Sequence, residues 1–358
     1  MGASGERISH GGDSIAVARQ LGCRVEDLAD MSSNLSPLGV ADGVIEAVRA
    51  RVDEIGFLPE SGSEALRECF AGTYGLKLDQ VLAGNGTTEF IFGAPASLRP
   101  SRAIIVSPTY GDYRVACSWA GIETETFALP AENDFNLDLD LLADRLRGGE
   151  MVFICNPNNP TGGWVDSEHL HRFVAAHPAS RFLVDEAYLP FTGKKSLMEL
   201  PLLKNLLILC SYSKMYCIPG IRLGFLVGTG ESLEQLGKRL RPWGVNRIAQ
   251  IAGEYLCHNS ASYVETVCLF VQRERPKFVT ALTTIPGVEV IPGCTNFILG
   301  RLHGTMRAGQ LRNEMLQRRI VIRNCADFEG LDERYFRISL MDEATNGRCL
   351  EALGEILG

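Results

Sequence analysis

The chain has 358 residues, 46% of them hydrophobic and 22% charged, which is typical of a globular protein with one large domain and a smaller one. Its formal net charge of −8 argues against a surface for nucleic acid or anionic membrane. No apolar run of about 18 residues predicts a membrane span, and residues 1–7 lack the apolar core of a signal peptide, which predicts a cytoplasmic location.

The first two thirds of the chain alternate continuous apolar runs with helical patterns. The apolar runs lie at 102–108, 151–156, 181–185, 205–211 and 222–227. Runs that are apolar throughout are typical of strands buried on both faces, as in a parallel sheet covered by helices. Helical patterns at 112–121 and 166–177 lie between these runs. The alternation predicts an α/β layered domain.

The pattern changes after residue 230. A long helical pattern runs from 231 to 282, with breaks near Pro242 and Asn259. Strand patterns and helical patterns then alternate, and they lie at 288–292, 295–302, 305–318, 320–324, 335–340 and 343–357. We therefore predict an N-terminal arm and small-domain segment (1–40), a large domain (41–240) and a smaller C-terminal α/β domain (241–358).

The 11 cysteines are scattered singly, without a CxxC pair or a zinc-type cluster. An odd number of such residues fits reduced, mostly buried thiols, and no structural metal is predicted. Because the chain is acidic overall, an anionic ligand would need a local group of arginines.

A glycine-rich segment at 82–89, LAGNGTTE, joins a predicted strand to a helix. Its glycines allow close approach of the backbone, and Thr87 and Thr88 bring hydroxyl and amide groups to a helix N-terminus, which is a natural anion site. Alone the segment is a weak signal. It matches neither GxGxxG nor the Walker loop, so it does not indicate nucleotide binding.

Three further motifs follow apolar strands. The segment NPNNPTG at 156–162 would, by itself, be an ordinary turn. Asp185 ends a strand, where open α/β sheets bind ligands, although an acid there also caps helices. Lys214 ends the segment SYSK after another strand, and Arg222 lies eight residues on. A lysine, an arginine and two hydroxyls thus converge on one sheet edge, as a Schiff-base lysine and a phosphate would require.

Together and in this order, the motifs resemble those of fold-type I pyridoxal-phosphate (PLP) enzymes of the aminotransferase class. The resemblance implies a large domain with a mostly parallel seven-stranded sheet, a smaller C-terminal α/β domain and a homodimer with the active site near the subunit interface. It also implies PLP as the cofactor, bound covalently by Lys214 and paired through its ring nitrogen with Asp185. The other implied cofactor contacts are Tyr110 on the ring face, Asn159 and Tyr188 at the ring oxygen, and Gly86, Thr87, Ser211, Ser213 and Arg222 at the phosphate.

Within this class the chain resembles the threonine-phosphate decarboxylases of cobalamin synthesis. The histidinol-phosphate aminotransferases are closely related to them. The similarity covers nearly the whole chain. The supporting segments are HGG at 10–12, SSNLSPLG at 32–39, LAGNGTTE at 82–89, RPWGVN at 241–246, IRNC at 322–325 and GLDERYFR at 330–337. The first segment and the arginine of IRNC favour the decarboxylases.

The resemblance also implies substrate contacts. Arg337 would bind the substrate carboxylate through two parallel hydrogen bonds. The substrate phosphate would be received by Arg323, His10 and Asn34, and Asn159 would contact the substrate as well as the cofactor.

One position departs from the family pattern. A tyrosine that usually precedes the proline, and reaches the cofactor phosphate of the partner subunit, is replaced here by Phe57. A phenylalanine cannot donate that hydrogen bond.

Three functions stay open at this point. A decarboxylase would act on L-threonine phosphate, or on L-serine phosphate, which differs by one methyl group worth only ~1–3 kcal/mol in a pocket. An aminotransferase on histidinol phosphate could use the same lysine and aspartate, because the orientation of the substrate selects the bond that breaks. An inactive binding protein with this fold is the third alternative, and the intact Lys214 and the acidic charge argue against it.

Overall fold

The computed structural model describes residues 11–358. The helices are α1 (Ser14–Leu21), α2 (Val44–Ala50), α3 (Glu64–Tyr74), α4 (Thr87–Leu98), α5 (Asp112–Trp119), α6 (Leu139–Ala143), α7 (Ser167–Ala176), α8 (Tyr212–Met215), α9 (Gly230–Gly237), α10 (Arg247–Asn259), α11 (Ala261–Thr283), α12 (Ala308–Gln317) and α13 (Glu343–Leu357). The strands are β1 (Ala29–Asp30), β2 (Val81–Gly84), β3 (Ala103–Ser107), β4 (Thr124–Ala128), β5 (Met151–Cys155), β6 (Arg181–Asp185), β7 (Leu206–Ser211), β8 (Gly224–Gly228), β9 (Val288–Val290), β10 (Phe297–Leu302), β11 (Ile320–Val321), β12 (Arg323–Asn324) and β13 (Tyr335–Ser339).

The main sheet has seven strands in the order β2-β8-β7-β6-β5-β3-β4. Strand β8 runs antiparallel to both neighbours, and the other pairs are parallel. Every residue of β3, β5 and β8 is buried, because helices cover both faces. The predicted α/β fold with a mostly parallel seven-stranded sheet is confirmed.

The parallel strands bring the predicted motifs to one edge of this sheet. Cys155 at the end of β5 pairs with Asp185 at the end of β6, and Asp185 pairs with Leu209 of β7. The segments that follow these strands therefore emerge side by side, as in other open α/β sheets that bind ligands at their carboxyl edge.

The C-terminal part contains a four-stranded antiparallel sheet in the order β12-β13-β10-β9. The run predicted as one strand at 320–324 is divided, because β11 pairs with β1 whereas β12 pairs with β13. The β1–β11 pair ties the N-terminal segment to the C-terminal part of the chain. The domain limits at 40 and 240 stay a prediction. Helix α10, which follows the predicted limit at 240, packs against α2 and α3 of the predicted large domain.

Two observations concern the predicted absences. Between residues 11 and 358, the structure has no helix whose length and apolar character would suffice to cross a bilayer. In the same part of the chain, no three His, Cys, Asp or Glu side chains are grouped where they could hold a metal ion. The cytoplasmic location stays a prediction.

Candidate active site

Lys214 lies on α8, a single helical turn directly after β7. It is partly buried, and its Nζ donates a hydrogen bond to the backbone oxygen of Ser33 over 3.2 Å. Burial, and after it the positive charges of Arg337 and Arg222, lower the pKa of Lys214 to about 8. A lysine with a lowered pKa carries more of the neutral amine that attacks an aldehyde.

Asp185 faces the same cavity as Lys214. Its Oδ2 accepts a hydrogen bond from the Tyr113 hydroxyl over 2.7 Å, and its Oδ1 accepts one from the backbone N–H of Ala187 over 3.0 Å. Burial raises the pKa of Asp185, while these two hydrogen bonds and the nearby Lys214 oppose the rise. The carboxyl group is thus fixed in direction, and its pairing with the ring nitrogen of the cofactor stays a prediction.

Sequence reasoning missed Tyr113. It is fully buried on α5, with its ring stacked on Phe153 at 5.4 Å between centroids and edge-on to Tyr110 at 5.6 Å. The only sequence signal was its position three residues after Tyr110, which lies just before α5.

The predicted phosphate contacts form a cradle at the N-terminus of α4. Gly86 precedes the helix with φ of 75° and lies so close to Arg222 that a Cβ there would meet Nη2 at 2.5 Å. Thr87 is the first helical residue, and Ser211 and Ser213 line the same cavity. A helix N-terminus, two hydroxyls and an arginine are suited to hold a phosphate group.

The predicted ring contacts line this cavity too. Tyr110 donates a hydrogen bond to Asp112 over 2.6 Å, and Tyr188 is buried with its ring edge-on to Phe297. Burial raises the pKa of Tyr188 to about 12, although the charge of Arg337 lowers it in part. Asn159 accepts a hydrogen bond from Nη1 of Arg337.

A second cavity adjoins the first and shares Tyr110, Asn159, Tyr188 and Lys214 with it. Arg323 and Arg337, the two predicted substrate arginines, both line it, together with Gly11. The structure therefore brings the predicted substrate arginines beside the predicted cofactor lysine.

Arg337 is a buried cation. Its side chain lies on β13 and is only 4% exposed. Nη2 donates to the backbone oxygen of Ser32 over 2.6 Å, while Nε is buried without a partner. No carboxylate of residues 11–358 forms an ion pair with Arg337. Because a buried charge without a counterion is costly, this guanidinium is suited to receive a carboxylate from a ligand.

Two further predicted phosphate contacts are Asn34 and His10. Asn34 is fully buried and is not among the residues that line the cavity of the two arginines, and its Oδ1 accepts a hydrogen bond from Ser339 over 2.8 Å. Its role as a phosphate ligand stays a prediction. His10 lies outside the described residues, and its role stays a prediction as well.

The arrangement fits PLP. One cavity is lined by a lysine amine, a fixed carboxylate, an aromatic ring and an anion cradle. These groups suit, in the same order, the aldehyde, the ring nitrogen, the ring face and the phosphate of this cofactor. The unpartnered Nε of Arg337, a residue that lines the neighbouring cavity, marks that space as a site for a polar ligand.

The family model described as aminotransferase class I and II matches residues 26–353. The chain belongs to this family. Its cofactor is pyridoxal phosphate, as the motifs predicted. The fold-type I assignment is thereby confirmed.

Individual members of the family are similar over nearly the whole chain. Threonine-phosphate decarboxylase from Salmonella typhimurium is 32% identical over 356 residues, covering 98% of this chain and 96% of that protein. Histidinol-phosphate aminotransferase from Methanothermobacter thermautotrophicus is 30% identical, covering 95% and 92%. The crystal structure of the histidinol-phosphate aminotransferase from Clostridium acetobutylicum has a TM-score of 0.86 at 27% identity, covering 92% and 99%. The similarity thus includes both enzyme classes that the sequence motifs favoured.

Proposed function

We propose that the chain is a PLP-dependent decarboxylase that converts L-threonine O-3-phosphate to (R)-1-amino-2-propanol O-2-phosphate and CO2, for the nucleotide loop of cobalamin. L-serine phosphate, which would give ethanolamine phosphate, is a further candidate substrate. The observation that carries the proposal is the pair of buried arginines, Arg323 and Arg337, in one cavity beside Lys214. A phosphorylated amino acid has two anionic ends, and each arginine can bind one of them.

Arg337 sets the orientation of the substrate. Its guanidinium is held by Ser32 and Asn159, so it would fix the substrate carboxylate in one direction relative to the cofactor. When bound, PLP accepts the electron pair of a bond to the substrate Cα that lies perpendicular to the ring. An arginine that holds the Cα–carboxylate bond in that direction favours loss of CO2 over loss of the Cα proton.

Lys214 and Asp185 complete the reaction. When the Cα–carboxylate bond breaks, CO2 leaves without the bonding electron pair, which remains with Cα. A proton must then add to Cα in place of the carboxylate. Lys214 lines both cavities, and its pKa of about 8 allows it to hold and deliver that proton near neutral pH. The buried Asp185 carboxylate is fixed in place by the Tyr113 hydroxyl and the Ala187 N–H, and it would keep a proton on the ring nitrogen of the bound cofactor.

Histidinol-phosphate aminotransfer is the second candidate. It is supported by the 30% identity to the aminotransferase from Methanothermobacter thermautotrophicus, and it would use the same lysine and aspartate. It differs in needing a 2-oxo acid that accepts the amino group.

We also propose a homodimer. Ile55, Phe57 and Leu58 form one short segment in which the residues are 65%, 73% and 75% exposed. Contiguous exposed apolar residues are typical of a surface that another chain covers. Phe57 is the position at which the family reaches the partner's cofactor.

The deciding experiment incubates the holoenzyme with L-threonine phosphate, L-serine phosphate and histidinol phosphate, each with and without 2-oxoglutarate. We expect CO2 and an amino-alcohol phosphate from threonine phosphate in the absence of 2-oxoglutarate. Turnover of histidinol phosphate that depends on 2-oxoglutarate would instead identify an aminotransferase. A visible PLP absorption band that disappears in Lys214→Ala excludes a protein that merely retains the fold.

A further inference from the structure

Arg323, the residue predicted to bind the substrate phosphate, already forms an ion pair with an acidic residue of its own loop. Its Nη2 donates to both carboxylate oxygens of Asp327 over 2.7 Å, and its Nη1 donates to the backbone oxygen of Asn324 over 2.5 Å. The side chain of Arg323 is 9% exposed and that of Asp327 is 33% exposed. Both residues line the cavity that contains Lys214 and Arg337.

The geometry of the Arg323 guanidinium makes the ion pair with Asp327 compete with phosphate binding. An arginine binds phosphate most strongly through two parallel N–H bonds. The two pairs that can do so are Nε with Nη2 and Nη1 with Nη2, so that both include Nη2. Nη2 carries two N–H groups, and both carboxylate oxygens of Asp327 lie 2.7 Å from it, so this carboxylate competes for both of them. A substrate phosphate that forms either pair must therefore displace Asp327.

Displacement depends on the charge of the ligand. A phosphate monoester carries a charge of about −1.5 to −2 at pH 7 and three strong acceptor oxygens, whereas the carboxylate of Asp327 carries one charge. The carboxylate is also tethered four residues from Arg323, which gives it a high effective concentration against a ligand of the same charge. A doubly charged phosphate therefore competes far better than a carboxylate or an uncharged hydroxyl.

We propose that Asp327 is a specificity-determining residue, which occupies the phosphate-binding nitrogen of Arg323 and yields to a phosphate dianion but not to weaker ligands. It thereby restricts the cavity to phosphorylated amino acids. The inference rests on the proposed function, since it takes Arg323 as the group that receives the substrate phosphate.

The test measures the binding of inorganic phosphate and of acetate to the holoenzyme by isothermal titration calorimetry, with PLP occupying its own phosphate cradle. In Asp327→Asn, which keeps the shape and removes the charge, we expect phosphate to bind about tenfold more tightly than in the wild type, and the preference for phosphate over acetate to narrow. Asp327→Ser, which also removes the charge, should change the affinities for phosphate and for acetate in the same direction as Asp327→Asn does.

The matched control is Glu329→Gln, two residues along the same loop. Glu329 pairs with Arg114 over 2.5 Å and not with Arg323. The affinity of the Glu329→Gln holoenzyme for inorganic phosphate should therefore stay within about twofold of the wild type. The double variant Arg323→Gln/Asp327→Asn should lose the tightening altogether.

Three results would overturn the inference: unchanged or weaker phosphate binding in Asp327→Asn, equal tightening in Glu329→Gln, or tightening that survives the loss of Arg323. Each is independent of which substrate turns over, because inorganic phosphate is the ligand. Failure to decarboxylate threonine phosphate, by contrast, would refute the proposed function and leave the binding result as it stands.

Discussion

The hydroxyl of Tyr113 donates a hydrogen bond to Oδ2 of Asp185 over 2.7 Å, within a fully buried pair. The two residues are 72 positions apart, on α5 and at the end of β6. The bond stabilises the charged form of a carboxylate whose pKa burial raises. Tyr113 therefore positions Asp185, and through this carboxylate we expect it to act on the cofactor nitrogen.

Tyr113→Phe should lower kcat about tenfold, because a weaker, less oriented carboxylate holds the ring proton less well. KM should change little, since Tyr113 does not line the substrate cavity. Spectrophotometric titration of the holoenzyme should also show a shifted pKa of the visible band. In the control Tyr216→Phe, a buried hydroxyl paired with Ser260 is lost instead, and the band should titrate as in the wild type. Equal spectra for both variants would contradict the role of Tyr113.

Covalent capture of PLP by the apoenzyme should accelerate with rising pH through about 8. Burial lowers the pKa of Lys214 from 10.5 to about 8, and only the neutral amine attacks the cofactor aldehyde. The folded apoenzyme also binds fewer protons than the unfolded chain between these two values, so the free energy of unfolding should rise across that interval. Stopped-flow absorbance measures the rate, with Lys214→Ala as the control that captures none. A rate that rises only above about 10 would show an ordinary lysine.

Arg337→Lys should reduce kcat/KM about 10- to 100-fold on the phosphorylated amino acid. The variant keeps the charge but loses the two parallel hydrogen bonds to the carboxylate, each a charge-assisted contact. It should also increase the fraction of turnovers that end in amino transfer, because the carboxylate is no longer held in one direction. The control is Arg301→Lys, on the adjacent strand β10, where the arginine pairs with Glu289 over 3.6 Å. Unchanged kinetics in Arg337→Lys would remove this residue from the site.

Phe57→Tyr should tighten PLP binding about tenfold if the partner subunit contributes this position, because the added hydroxyl donates to the charged cofactor phosphate. The dissociation constant is measured by titrating the apoenzyme, and sedimentation gives the oligomeric state. Leu58→Tyr is the matched control, since the neighbouring residue is equally exposed, at 75%. Similar constants for both variants, or a monomer in solution, would contradict the cross-subunit contact.

The fold and the cofactor site could be predicted because their signals are local. Asp185 and Ser211 end two neighbouring strands, and Lys214 comes three residues after Ser211; parallel strands necessarily bring their carboxyl ends to one edge. The same logic failed at 320–324, where one predicted strand joins two different sheets. The apolar half, Ile320–Val321, pairs with β1 and the polar half, Arg323–Asn324, pairs with β13, so the pairing partners decide the break.

The sequence by itself determined the α/β order through chain-local periodicity, and its motifs, through their resemblance to those of the PLP family, indicated the cofactor and the candidate residues that would hold it. Only the tertiary structure decided which side chains meet: Tyr113 at Asp185, and Asp327 on Arg323, with Arg337 left free of a carboxylate partner within residues 11–358. Charge pairing and burial depend on distances of a few ångströms between segments, and no pattern along the chain encodes those distances.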